Sequence, residues 1–331
     1  MRVTTTGVGP HQAPLTSYIL DASEEMASAR RRPAVLILPG GGYAFTSDRE
    51  AEPVAMAYLA AGLNAFVLRY STGPGTTFPQ ALADARAALA WIRQGAAEMD
   101  TDPARIAAVG FSAGGHLAAA LGTLGPTRPD ALVLGYPVTL AGLGAAMDRD
   151  IPDIPAAVTS STPPTFLFST FSDTVVPVSH SLRLLQAMAA RGVPFETHIS
   201  LLGPHGLSVA RDHTARGRAD LEMSEVAAWV EDSVRFLRRV LGGFPLEGRA
   251  ESFTGLRARM PAGLAKPAGL LLEDERAPEI LDRYLPGALE RIRSDFELLV
   301  MPLEEALERA GLVGAGTDLT ALEADLMSLN G

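Results

Sequence analysis

Residues 108–116 read AVGFSAGGH, and the serine near their centre, Ser112, stands between Gly110 and Gly114. A hydroxyl held in G-x-S-x-G has a definite chemical use. Where an apolar strand ends and a helix begins, small residues let the backbone turn sharply enough to present the serine at the tip of the bend as a nucleophile. The flanking residues predict that setting: a short buried strand over 105–109 (RIAAV) and a helix over 113–124. A serine hydroxyl is a weak nucleophile until an adjacent base takes its proton, and the base needs a carboxylate to fix its tautomer. Asp173 follows a predicted strand over 165–169, and His205 follows another over 195–201. Ser112, Asp173 and His205 are therefore expected on separate loops at the carboxyl ends of parallel strands.

Other acids and bases are placed less well. Asp148, Asp150 and Asp153 precede the strand at 165–169, and Asp212 and His213 lie in a polar stretch expected to face solvent. His116, one turn into the helix after Ser112, His180, near a helix start, and His198, within a strand, are read as structural. No cluster has metal-ligand spacing, so neither a metal nor a cofactor is expected. An oxyanion formed at Ser112 needs backbone N–H donors aimed at it. Ala113, the residue after the nucleophile, is one source. The other is the loop Gly40-Gly41-Gly42-Tyr43, directly after an apolar run at 34–38 (AVLIL), with Gly41, Gly42 and Tyr43 all open as the second donor.

These residues need a scaffold that brings several strand ends together. Strand-like runs at 15–20, 34–38, 64–70, 105–109, 131–136, 165–169 and 195–201 alternate with helical spacing at 49–61, 79–98, 113–124, 179–191 and 220–241. Such alternation predicts a doubly wound, mostly parallel sheet covered on both faces.

Composition narrows the chemistry. The 331 residues contain no cysteine, which removes thiolate nucleophiles, disulfides and thiolate zinc sites. The single lysine, Lys266, lies in an unpatterned segment unsuited to a Schiff base. Net charge is −10, but residues 271–331 carry 14 Asp or Glu against 5 Arg, leaving the rest close to neutral. An acidic tail argues against nucleic acid or an anionic membrane as partner, and the near-neutral body suits an uncharged small-molecule or carbohydrate ester. With no uninterrupted apolar run of about 18 residues and no signal-peptide pattern at the start, a soluble cytoplasmic protein is expected.

Over residues 15–241 the chain resembles the α/β-hydrolase esterases, particularly the bacterial carbohydrate-esterase-like group near acetylxylan and feruloyl esterases. The motifs are Pro39-Gly40-Gly41-Gly42-Tyr43, Leu68-Arg69-Tyr70, Gly110-Phe111-Ser112-Ala113-Gly114-Gly115-His116, Gly135-Tyr136-Pro137, Asp173 before Val176-Pro177, and His205-Gly206. The resemblance implies Ser112 as nucleophile, Asp173 as orienting acid, His205 as base, and the amides of Gly41, Gly42 and Ala113 as oxyanion hole. Pro39 departs from the more distant lipase-like pattern, which has histidine there. Acetyl esters on sugars are the substrate the resemblance suggests, and the short insert of about 28 residues between the strands at 131–136 and 165–169 agrees, since a small cap suits short acyl groups. A prolyl-oligopeptidase-like peptidase shares the triad, but no propeller-like repeat precedes the domain. A non-catalytic scaffold with a partner-binding tail is the alternative from another class.

The expected division is a catalytic domain over 1–244, followed by a linker and acidic helical extension over 245–331. Leu289, Ile292, Phe296, Leu299, Leu303 and Leu307 recur at helical spacing, with Pro302 kinking or restarting the helix, and a last short helix is expected over 318–327. A stripe this apolar must be covered, by the hydrolase domain or by the same stripe of a second copy in a homo-oligomer.

Overall fold

Four of the apolar runs become strands in which every residue is buried: β3 (Arg32–Leu38), β4 (Asn64–Leu68), β6 (Ala131–Gly135) and β7 (Thr165–Thr170). Burial of a strand on both faces is the mark of the centre of a parallel sheet. The computed structural model describes residues 1–245, 263–272, 274–314 and 318–330. With β1 (Arg2–Val8), β2 (Ala13–Ile19), β5 (Thr101–Phe111) and β8 (Phe195–Ser200), these strands form one eight-stranded sheet in the order β1-β2-β4-β3-β5-β6-β7-β8. The β1–β2 and β2–β4 pairings are antiparallel and the rest parallel. The expected doubly wound, mostly parallel sheet of an α/β hydrolase is therefore present, with β1 as an addition.

Helices α1 (Glu52–Ala60), α2 (Phe78–Gln94), α3 (Ser112–Thr123), α4 (Ser179–Ala190), α5 (Ser224–Ala227) and α6 (Trp229–Leu241) connect or follow the strands. The start of α2 follows from its sequence: the Thr77 hydroxyl accepts from the Gln80 amide, the Gln80 side chain accepts from the Thr77 amide, and Pro79 sits in the first turn. The helix expected over 220–241 instead begins at Ser224 and breaks at Ala228, because residues 219–221 form a separate 3-10 turn. Trp229 opens α6 and stacks on Phe168 of β7, with ring centroids 4.5 Å apart, while Phe111 of β5 meets the same indole edge-on. This aromatic cluster fills the sheet face beneath the ends of β5 and β7, where the predicted nucleophile and acid emerge.

The described chain divides into two compact units, the first holding Met1–Met188 and the described residues from Pro194 to 245, the second Ala189–Val193 and the described residues beyond 262. Of the linker and extension expected over 245–331, residues 246–262, 273, 315–317 and 331 lie outside the described residues. The apolar stripe does not run along one helix. It is shared among α9 (Ala288–Arg293), α10 (Phe296–Val300) and α11 (Leu303–Arg309). Local stops explain this: the Asp295 carboxylate accepts from the Glu297 amide and restarts the chain at α10, and Pro302 restarts it at α11. Ile292, Leu303 and Leu307 are buried in a core with Leu264, Leu281 of α8 (Ala277–Tyr284) and Leu322 of α12 (Thr320–Met327), while Phe296 is 76% exposed. The short α7 (Ala268–Leu271) completes the described helices. Among the described residues no helix is long and apolar enough to cross a membrane.

Candidate active site

Strand β5 passes into α3 without an intervening loop, Phe111 ending one and Ser112 beginning the other. Ser112 takes φ of +53°, the left-handed region that side chains avoid at a cost of about 1–3 kcal/mol, and surrounding contacts hold it there. The glycines before and after it leave room for the turn: a Cβ on Gly110 would lie 2.2 Å from the carbonyl oxygen of Gly114. The Ser112 carbonyl accepts from the Val138 amide at 3.0 Å, tying the bend to the segment after β6.

The three residues expected at this edge meet there. His205 Nε2 lies 2.8 Å from Ser112 Oγ, and His205 Nδ1 lies 2.7 Å from Asp173 Oδ2. The second carboxylate oxygen of Asp173 accepts from the amides of Val175 and Val176 at 2.8 and 3.0 Å, so the carboxylate cannot swing away from the imidazole. Asp173 is the third residue after β7. The His205 loop is shaped by Gly203, at φ of +145°, whose carbonyl accepts from the hydroxyls of Thr170 and Ser172. An imidazole that donates through Nδ1 to a carboxylate presents an Nε2 lone pair, and here that nitrogen faces the serine hydroxyl.

The other acids and bases stay apart from this line. His213 is exposed and lies beside Asp212. Asp148 and Asp150 are exposed on the insert, and Asp153 caps the Ala141 amide. His180 accepts from the amides of Thr139 and Leu140, and His198 faces Asp232 near the surface. His116 is fully buried: Nε2 donates to the Pro152 carbonyl at 3.1 Å and Nδ1 accepts from the Tyr43 hydroxyl at 2.8 Å. Burial pulls its pKa down to about 4, which keeps it neutral in this role. Among the described residues no group of three or more acids and histidines could hold a metal ion.

The glycine loop after β3 sorts its own donors. The Gly40 amide is committed to Glu50 Oε2 at 2.7 Å. Among the described residues the amides of Gly41, Gly42 and Tyr43 have no backbone acceptor, and Ala113 lies in the first turn of α3, whose amides have no intrahelical partner. Gly41 and Gly42 have φ of +130° and +62°, and a Cβ on Gly41 would meet the Phe45 carbonyl oxygen at 2.1 Å. The buried guanidinium of Arg149, from the insert, donates to the carbonyls of Tyr43 and Gly73 at 3.1 and 2.5 Å and to the Thr76 hydroxyl at 3.1 Å. The half-buried Met147 side chain borders the same loop, its Cγ 4.0 Å from where a Cβ on Gly42 would stand.

One pair at this site escaped sequence reasoning. Glu50, 4% exposed, accepts from the Tyr136 hydroxyl at 2.6 Å as well as from Gly40. Burial raises its pKa, against the lowering effect of those two hydrogen bonds, the charge of His205 and the charge of Arg49. The only trace in the sequence is an Arg-Glu pair at the entry to α1, where charge normally faces water.

Comparison with known proteins gives concordant matches. The BD-FAE family matches residues 20–133. Endo-1,4-β-xylanase B of Butyrivibrio fibrisolvens is 33% identical over 59% of this chain and 35% of its own length. The chain spans about a third to two fifths of the length of the first curated relatives it matches. Among solved structures, an α/β-hydrolase enzyme from a Medee basin deep-sea metagenome library is 42% identical, with 73% of this chain and 98% of that one covered and a TM-score of 0.69. A carboxylesterase of Lactobacillus plantarum WCFS1 is 31% identical, with 73% and 100% covered and the same TM-score of 0.69.

Proposed function

This chain belongs to the α/β-hydrolase family, among its carbohydrate-esterase-like members, and we propose that it is a serine ester hydrolase working through an acyl-enzyme. The observation that carries the reading is the continuous line Ser112 Oγ, His205 Nε2, His205 Nδ1, Asp173 Oδ2, with separations of 2.8 and 2.7 Å. Likeness to a carboxylesterase over that protein's whole length supports the same reaction class.

In the first step Ser112 Oγ bonds to the ester carbonyl carbon while its proton passes to His205 Nε2. The carbonyl oxygen becomes an oxyanion facing the Ala113 amide and the amides of Gly41 and Gly42, and Asp173 stabilises the imidazolium. Collapse breaks the bond to the leaving alkoxide, which takes the proton from Nε2. Water then repeats the sequence on the acyl-enzyme: His205 accepts its proton, the acid departs, and Ser112 Oγ is protonated again. Short acyl groups, acetyl first, fit a site whose oxyanion loop is bordered by Met147 of a small insert. The sugar-linked nature of the ester rests on the kinship with carbohydrate esterases.

A fluorophosphonate probe and a series of p-nitrophenyl esters test this. The label should map to Ser112 and disappear in Ser112→Ala with the fold intact, and kcat/KM should fall from acetyl to octanoyl. Labelling elsewhere, or a Ser112→Ala variant with full turnover, would sink the proposal.

A further inference from the structure

The steps above use Ser112, His205, Asp173 and loop amides, and leave idle a second carboxylate packed behind them. We propose that Glu50 is a positioning residue for this reaction. It fixes the oxyanion loop through the Gly40 amide, fixes the ring that backs His205 through the Tyr136 hydroxyl, and sets a negative charge behind the imidazolium that forms in both steps. The inference rests on the esterase reading given above.

The geometry assigns each carboxylate oxygen to one half of the site. Oε2 accepts from Gly40, the residue that precedes the amides of Gly41, Gly42 and Tyr43, so it orients the peptides that must meet the oxyanion. A Cβ on Gly40 would stand 2.7 Å from this oxygen and 3.1 Å from the Ser112 Cβ, which places the carboxylate close behind the nucleophile. Oε1 accepts from Tyr136, whose ring meets the His205 imidazole edge-on with centroids 5.0 Å apart. The Tyr136 oxygen in turn accepts from the Ser208 amide at 2.8 Å, three residues beyond His205. The neighbouring Arg49 reinforces the same loop: its guanidinium donates to the Gly206 carbonyl at 2.8 Å and to that of Thr214, and its own carbonyl accepts from the Ser208 hydroxyl. One two-residue turn thus holds the donor loop and the base loop together.

The groups facing Glu50 come from several elements. They are Arg49 on its own turn, Tyr136 after β6, His205 after β8, Tyr70 after β4 and the Gly40 amide after β3. A positive charge on His205 favours the ionised form of Glu50, and by reciprocity an ionised Glu50 favours a charged imidazole. A carboxylate whose two oxygens each accept a hydrogen bond is also the form that this pocket satisfies.

The test compares wild type, Glu50→Gln and Tyr136→Phe on p-nitrophenyl acetate across pH, with fluorophosphonate labelling of Ser112 in parallel. Glu50→Gln keeps the shape and removes the charge. Its kcat should drop by about tenfold or more with KM little changed, and the acidic limb of kcat/KM should move to lower pH by roughly half to one unit, because the imidazolium loses a stabilising neighbour. A purely structural role would lower kcat without moving that limb. Tyr136→Phe keeps ring and carboxylate, so it should lose kcat and leave the limb in place. If Glu50→Gln does not fold, Tyr136→Phe tests the hydrogen-bonded half of the role: a lost kcat supports it, and wild-type kcat overturns the proposal. Labelled, active wild type with an unmoved limb in Glu50→Gln overturns this inference only. Wild type that neither labels at Ser112 nor turns over any ester overturns the esterase reading and this inference with it.

Discussion

A methyl group added to Gly114 would stand 2.1 Å from the carbonyl oxygen of Leu38, the last residue of β3. The first turn of α3 is thus pressed onto the end of the neighbouring strand, and the contact is with backbone, which cannot rotate aside. Gly114→Ala should cost at least about 1–3 kcal/mol, the range for overpacking a well-filled interior, and should displace Ser112. Urea denaturation together with the rate of fluorophosphonate labelling measures both effects. A variant as stable and as reactive as wild type would mean that α3 slides freely on β3.

His205 and His213 are eight positions apart and are expected to behave differently. His205→Ala should lose catalysis nearly as completely as Ser112→Ala, by about six orders of magnitude, since triad members act as a unit. His213, exposed beside Asp212, should tolerate alanine within about twofold. Steady-state assays of the two variants suffice, and equal losses would contradict the arrangement around Ser112.

Buried His116 makes stability depend on pH in a defined direction. Its pKa is about 4 in the folded chain against an ordinary 6.5, so between those values the unfolded chain binds a proton that the folded one refuses. Stability contributed by this group is full above about 6.5 and is lost as pH falls toward 4, by about 3 kcal/mol over the whole interval. His180, whose pKa burial also lowers, acts in the same direction. Urea midpoints of wild type at pH 7 and pH 5 should therefore differ, and His116→Gln should narrow the gap. An unchanged gap would show that His116 does not resist protonation.

Leu307 is fully buried in the helical core of the second unit. Leu307→Ala should cost about 2–5 kcal/mol within that core, seen as an earlier loss of helical circular dichroism, while Ser112 keeps its fluorophosphonate reactivity. Loss of labelling in step with loss of those helices would defeat the expectation.

Residues whose role is local were legible in the sequence. The elbow glycines, the continuous apolar strands and the order of Ser112, Asp173 and His205 each follow from short-range constraints: space at a turn, burial on two faces, strand ends on one side. Strand β1 escaped because RVTTTGV lies at the sheet edge with most residues exposed, so neither face carries an apolar alternation. The pair Glu50 and Tyr136 escaped because a buried carboxylate is recognised only by its partner, and that partner is 86 positions away. The stripe from Leu289 to Leu307 kept helical spacing while Asp295 and Pro302 broke the helix. Spacing therefore recorded which side chains are apolar, not which helix carries them.

Arg149 gives the insert a cost of change. Its guanidinium belongs to the segment after β6, yet three of its hydrogen bonds end on Tyr43, Gly73 and Thr76 around the glycine loop. In evolution or in protein engineering, swapping this insert for a longer one would remove an anchor of the loop along with the old segment. Grafts that keep an arginine able to reach the Tyr43 and Gly73 carbonyls start with the loop still braced, and grafts that omit it must first rebuild that brace before any new acyl pocket can be selected.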